Sequence, residues 1–213
     1  SSHIKELLES AFKYTTVTTH SRYCIDRAKW TLQNLSKNTR ARYKRANNQL
    51  KKINATYHWV KPEAYETHIA KLIEYHQSLW ESRGNTGAFA HPDFNRFHEE
   101  FRAKSSIKIS AISVDNNPIA INYYFFDETT LYFYQCGWNS EGYANFSLGL
   151  SLHLWSIENC HHQYYDFMMG ELKGSYKEKF AALRKPMTNI DIKINSNKVF
   201  LHKLIKKLFL LKH

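Results

Sequence analysis

Asp166, Glu171, Tyr176 and Lys177 fall within twelve residues of one another, in the stretch QYYDFMMGELKGSYKEKF. Each can move a proton or hold a charge. Asp166 lies inside an aromatic, β-rich run, where a carboxylate is costly unless it is paired or put to use. The other three follow where that run ends, and ligand sites of α/β sheets gather at the carboxyl ends of strands. The set is suited to acid–base work. Asp166 or Glu171 can accept a proton, and Tyr176 can donate one. Lys177 can pair with Asp166 or bind a phosphate. The competing account is a purely structural ion pair between Asp166 and Lys177.

A second set lies upstream. Residues 137–145 (GWNSEGYAN) are turn-forming, and 146–160 (FSLGLSLHLWSIENC) have helical spacing, with Leu148, Leu152, Trp155 and Asn159 on one side. A helix start presents free N–H groups and the positive end of its dipole to an anion. Ser147 and Gly149 stand there, and a small residue lets a phosphate approach the backbone. The same two residues also fit an ordinary cap and a packing glycine. His153, on this helix, is expected to be a packed surface histidine rather than a catalyst. Cys160, His161 and His162 are adjacent and point apart, and no second pair has zinc spacing, so no metal is expected.

The third set is residues 36–52 (SKNTRARYKRANNQLKK), with seven cations and no acid. Ser36 suits a helix N-cap, and Thr39, Tyr43, Ala46 and Leu50 form one stripe for burial. The charges cover the remaining faces. They make either a solvated surface or a site for a phosphorylated ligand or RNA.

These sets need elements to hold them. Residues 130–136 (TLYFYQC) and 163–168 (QYYDFM) read as strands joined through the 146–160 helix, a parallel pair with a crossover. Before them, 106–114 alternates and turns at Asp115-Asn116-Asn117-Pro118 into 119–126, which turns again into 130–136, giving three antiparallel strands. Residues 54–60 suggest a strand. Pro62 opens a helix to about Ser82, with Tyr65, Ile69, Leu72, Ile73, His76 and Leu79 inward. His91-Pro92-Asp93 starts another helix through Phe94, Phe97 and Phe101. Residues 1–13 suggest a short amphipathic helix, 14–25 one or two strands, 190–194 a last strand and 199–211 a last helix.

The 213 residues suit one large domain, or a domain with an added arm, and 43% hydrophobic residues exclude a disordered chain. No apolar run approaches the roughly 20 residues of a membrane helix. A net charge of +11 implies acidic partners. Three scattered cysteines in no CxxC pair fit a reducing, cytoplasmic setting.

The ordered motifs sharpen the reading. LSKNTRARYKRANNQL resembles the "LSKxxRxxxRRxxxxL" signature of the cellulose-biosynthesis-type GNAT acetyltransferases, relatives of the Fem peptidyltransferases. Trp80 and Arg83 in LWESRG, then Phe89 and Pro92 in GAFAHPDF, continue the match. YANFSLGLSL is similar to "Y-x-x-x-SPG-x-x-L", with Leu148 in place of Pro, and YYDFMMGELKGSYKEKF is similar to "fDFxxGxexYKxxf". Together these cover most of residues 35–180.

The resemblance implies an α/β GNAT fold, a mixed and mostly antiparallel sheet flanked by helices, whose two central strands splay to admit the arm of an acyl-CoA. It implies transfer of an acetyl or other acyl group from acyl-CoA to an amine or hydroxyl on a sugar or cell-envelope precursor. The attack is direct, within a ternary complex, so no nucleophilic cysteine is needed. Backbone N–H groups near Gln135, Cys136 and Gly137 would bind the acyl carbonyl. Asn145, Phe146, Ser147, Leu148 and Gly149 would hold the pyrophosphate. Arg40, Arg45, Trp80 and Arg83 would meet the acceptor, and Asp166, Glu171, Tyr176 and Lys177 would line the reaction centre. Residues 36–197 would form the domain, with 1–35 as an arm or the remnant of a second GNAT-like half. The alternatives are a Fem-like transferase using aminoacyl-tRNA, with 36–52 on the RNA, and a GNAT-like module that only binds. Residues 198–213 form a basic amphipathic stretch, with Leu201, Leu204, Ile205 and Leu208 against Lys203, Lys206, Lys207 and Lys212. Such a helix either packs on its own domain or lies on an anionic membrane at the inner face.

Overall fold

The computed structural model describes residues 15–104, 106–170 and 175–192. The expected helices over 1–13 and 199–211, Glu171 and the end of the 190–194 strand lie outside the described residues.

In chain order the main elements are β1 (Thr15–Asp26), α1 (Lys37–Lys52), β2 (Thr56–Trp59), α2 (Tyr65–Glu81) and α3 (Pro92–Lys104). They continue with β3 (Ile107–Val114), β4 (Asn117–Phe126), β5 (Thr130–Trp138), α4 (Ser140–Tyr143), α5 (Leu148–Asn159), β6 (Tyr164–Gly170) and β7 (Leu183–Ile192). The strands form one mixed sheet in the order β2-β3-β4-β5-β6-β1-β7. Strands β2 to β5 pair antiparallel, and β5 pairs parallel with β6. The chain divides into two compact units, residues 22–185 and residues 1–21 with 186–213. The candidate site lies wholly within residues 22–185.

Local chemistry sets the elements. Ser36 caps α1 by accepting from the Thr39 N–H at 3.2 Å, and the helix buries Ala46 and Leu50. Pro62 opens a 3-10 turn that runs into α2, where its missing N–H costs nothing. The β3–β4 hairpin turns on Asp115 and Asn116, both left-handed (φ 48° and 64°), the conformation whose twist suits a two-residue hairpin.

The alternation expected of β3 gives way to burial on both faces. Helices cover the sheet twice. On one side Ile109, Ala111, Ile121 and Tyr123 pack with Ile69 and Leu72 of α2. On the other, Ile112 and Ala120 pack with Leu50 of α1 and with Leu148 and Leu152 of α5.

Candidate active site

Strands β5 and β6 pair only through Thr130↔Tyr164, Leu131↔Tyr165 and Tyr132↔Asp166. Beyond that point β5 continues through Phe133–Trp138 and β6 through Phe167–Gly170, and both bend. The β4–β5 register shifts between Tyr123 and Tyr124, so Tyr134 is an extra residue on β5. Met168 has φ 59°, which breaks the extended backbone of β6. Its N–H donates to Asp166 Oδ1 at 2.7 Å. The fork opens into a cleft of about 1420 Å³.

The walls come from distant parts of the chain. Phe133, Tyr134, Gln135, Cys136 and Trp138 of β5 face Phe167, Met168, Met169 and Gly170 of β6. The starts of α5 (Ser147, Leu148, Gly149) and of α1 (Ser36, Asn38, Thr39, Arg42) also line the cleft, joined by the Arg42–Ser147 bond. His76, Leu79 and Trp80 of α2, with Arg83, border it, as do Ser175, Tyr176 and Lys177.

Ser147 precedes α5 in the left-handed region (φ 49°) and makes no side-chain cap. Its hydroxyl instead accepts from Arg42 Nε at 2.7 Å. The first-turn N–H groups of α5 are thus left uncapped by the side chain that ordinarily takes one of them. Gly149 sits under Trp138, and a Cβ there would stand 3.6 Å from the ring.

Lys177 is buried, and its ammonium donates to the carbonyls of Phe167 and Met169 at 2.6 Å each. It fills the place of the strand that β6 has lost. Burial lowers its pKa, against the attraction of Asp166. Asp166, only 1% exposed, pairs with Arg22 at 3.1 Å. Burial raises its pKa, offset in part by the Met168 N–H and Arg22. Asp166 does not line the cleft.

Tyr176 is half exposed at the cleft, with its pKa raised by desolvation and by Cys136. Cys136 is half-buried, its thiol pushed up to about 12 by burial, which leaves it protonated and a poor nucleophile. The indole N–H of Trp80 donates to His76 Nε2 at 3.0 Å, so that nitrogen carries no proton. Burial lowers the His76 pKa.

The cleft brings together Gln135, Cys136, Ser147, Leu148, Gly149, Trp80, Arg83, Tyr176 and Lys177. Gly137, Asn145, Phe146, Arg40 and Arg45 do not line it. A Cβ on Gly137 would fall 2.6 Å from the Leu72 carbonyl oxygen, so that glycine lets α2 pack on β5. The Arg40 guanidinium bonds the carbonyls of Gln33 and Leu35. Arg45 is exposed on α1.

Sequence reasoning missed Arg42, one cation among seven until the fold sets it against Ser147. It also misplaced His153. That residue is no surface histidine: it is 3% exposed and lines the cleft, because α5 is covered on nearly all sides. The available signal was that Leu148, Leu150, Leu152, Leu154, Trp155 and Ile157 are too many apolar residues for a single helix face. Among the described residues no group of three or more His, Cys, Asp or Glu is placed to hold a metal ion. Nor, among them, is any helix long and apolar enough to cross a membrane.

A model of the acetyltransferase (GNAT) domain family matches residues 37–178. No curated protein matches the chain. Among solved structures, the chain resembles the C-terminal domain of a putative lysylphosphatidylglycerol synthetase from Agrobacterium fabrum, with a TM-score of 0.59 at 12% identity over 92% of this chain and 67% of that one. The L-PGS structure from Bacillus licheniformis gives 0.59 at 13% identity, over 96% of this chain and 69% of that one. FemX gives 0.62 at 10% identity, over 87% and 63%. The chain thus spans about two thirds of the length of these structures, and the likeness is one of fold.

Proposed function

The chain belongs to the acetyltransferase (GNAT) domain family, and from this premise we propose that it moves an acetyl or other acyl group from acyl-CoA to an amine or hydroxyl. One observation carries the reading: the parted strands β5 and β6 and the uncapped start of α5 open into the same cleft. The pantetheine arm would lie in the fork, and the pyrophosphate on the first N–H groups of α5 beside Arg42. A fit to CoA asks for a roomy cleft with a place for the pyrophosphate; the cleft volume and the uncapped α5 start beside Arg42 support that reading.

Direct attack needs no enzyme nucleophile. The acceptor's lone pair adds to the acyl carbon, the carbonyl pair moves to oxygen, and its return expels the thiolate. The backbone of Gln135 and Cys136, beyond the last β6 pair, would meet the acyl oxygen. Tyr176 holds its proton and would donate it to the departing sulfur. Lys177 would add positive charge at the fork while holding β6 open. Asp166 would act as a positioning residue through Met168, which leaves Glu171 as the carboxylate candidate for the base. Trp80, 38% exposed beside Arg83, offers an aromatic face to a sugar or cell-envelope acceptor. The basic stripe of residues 199–213 would hold such work at an anionic membrane face.

A second reading has its own observation. The cationic helix α1 opens onto the cleft through Arg42, which would suit a Fem-like transfer from aminoacyl-tRNA. Thermal unfolding separates the two. Acetyl-CoA at about 100 times its Kd should stabilise the fold by about 2.7 kcal/mol. Salt-sensitive tRNA binding without any effect of acetyl-CoA would overturn the first reading in favour of the second.

A further inference from the structure

His153 stands at the fork itself. Phe133 and Phe167 are the first residues of β5 and β6 beyond the last pair, Tyr132↔Asp166. The imidazole lies edge-on to Phe133, with ring centroids 4.4 Å apart, and 5.1 Å from Phe167. Phe180 closes it in at 5.1 Å. A polar side chain in such a place, inside the cleft, is costly unless every one of its polar atoms is used.

One ring nitrogen is accounted for. His153 Nδ1 lies 2.7 Å from the Tyr165 hydroxyl and 3.5 Å from the Asn122 amide nitrogen. The Tyr165 hydroxyl has one proton and two acceptors in reach, His153 Nδ1 at 2.7 Å and the Tyr124 hydroxyl at 3.5 Å; given to the nearer, it makes Nδ1 the acceptor and puts the proton of the neutral ring on Nε2. The chain behind it is buried and continuous. Asn122 also donates to the Tyr124 hydroxyl at 3.0 Å, which in turn lies 3.0 Å from Ser110 Oγ, itself 2.9 Å from Ser156 Oγ. This network holds the ring in place from the core side. Burial among aromatic rings, with the Lys177 ammonium nearby, holds the imidazole down to about 3, so it stays neutral at pH 7.

We propose that His153 is a catalytic residue whose Nε2–H donates a hydrogen bond to the acyl oxygen at the fork, with Tyr165 as the positioning residue that keeps the proton on Nε2. The assignment rests on the acyl-thioester reading. As the acceptor's lone pair forms the new bond to the acyl carbon, the carbonyl pair moves to oxygen, where the N–H meets it. When that pair returns, the C–S bond breaks and its electrons leave on sulfur. The acceptor's proton goes to the base, Tyr176 supplies the proton that the thiolate takes up, and His153 ends with the proton it began with. A neutral donor suits this task, because it gains strength as charge grows on the oxygen and gives up no proton.

The test uses the full chain with acetyl-CoA carrying a ¹³C-labelled carbonyl. Bound to the wild type, its carbonyl stretch should move to lower wavenumber than in water. The shift should vanish in His153→Leu, return in part in His153→Gln, whose amide N–H reaches near the same place, and weaken in Tyr165→Phe. Consumption of acetyl-CoA should fall about 100-fold in His153→Leu with KM little changed. If His153→Leu does not fold, ¹⁵N spectra of the wild type decide: Nε2 should carry the proton, and its signal should move between bound CoA and bound acetyl-CoA. A proton on Nδ1, or identical Nε2 signals in the two complexes, overturns the assignment while leaving acyl-CoA binding intact. A wild type that binds neither CoA nor acetyl-CoA overturns the acyl-thioester reading and this assignment with it.

Discussion

The ammonium of Lys177 lies 2.6 Å from the carbonyl oxygen of Phe167, ten residues back along the chain. It makes the same bond to Met169. Once β6 leaves β5, these carbonyls need a donor, and a buried cation supplies it. Lys177→Met, nearly equal in volume, should therefore cost about 2–3 kcal/mol, the loss of charge-assisted bonds to buried acceptors. Urea unfolding measures this. A loss below about 0.5 kcal/mol would show that water satisfies the carbonyls instead.

Asp166 anchors the bend at Met168 and pairs with Arg22. Asp166→Asn keeps an acceptor for the Met168 N–H, whereas Asp166→Ala removes it. The alanine variant should be the less stable by about 1–2 kcal/mol in denaturant unfolding. Removing a general base costs roughly 10²–10⁴-fold in turnover. Asp166→Asn should lose less than about tenfold, and a loss in the larger range would return Asp166 to the role of base.

Gly149 tests the anion end of the cleft. A Cβ fits at 3.6 Å from Trp138, so Gly149→Ala should leave CoA affinity nearly unchanged. Gly149→Asp sets a carboxylate against the pyrophosphate and should weaken binding about tenfold, the effect of roughly 1.4 kcal/mol of like-charge repulsion. Calorimetry with CoA compares the pair. Equal affinities in all three proteins would move the pyrophosphate elsewhere.

Acid should loosen the fold before carboxylates titrate. His98 sits in an aromatic cluster with Phe94, Tyr123 and Tyr134, held down to about 4 by burial and then by Arg102. His153 is held down to about 3. An unfolded histidine titrates near 6.5, so below that pH the unfolded chain binds more protons and stability falls with pH. The loss begins near pH 6.5 and runs down to the folded values. At pH 5.5 it amounts to about 1.4 kcal/mol for each of the two. Thermal unfolding between pH 7.5 and 5 should show the decline, with a shallower slope in His98→Leu. Identical slopes would remove His98 from the account.

How much of this was legible in the sequence differs from element to element. The parallel β5–β6 pair, its crossover helix and the antiparallel β3–β4–β5 run are local patterns. Apolar periodicity, the Asp115-Asn116 turn, Pro62 and the Ser36 cap each act within a few residues, and local physics is written in the chain. The ordered motifs likewise carried the GNAT family, though not the cellulose-biosynthesis type within it. The length of the β5–β6 pairing was not written there. It depends on the extra residue at Tyr134, the left-handed Met168 and the Lys177 ammonium acting together. The partners of charged and polar groups were also closed to sequence reading. Asp166 took Arg22 in place of Lys177, Arg42 reached Ser147 across 105 positions, and His153 turned inward onto Tyr165. A side chain's type limits what it can bond, but which acceptor stands within 3 Å is settled only when remote segments pack.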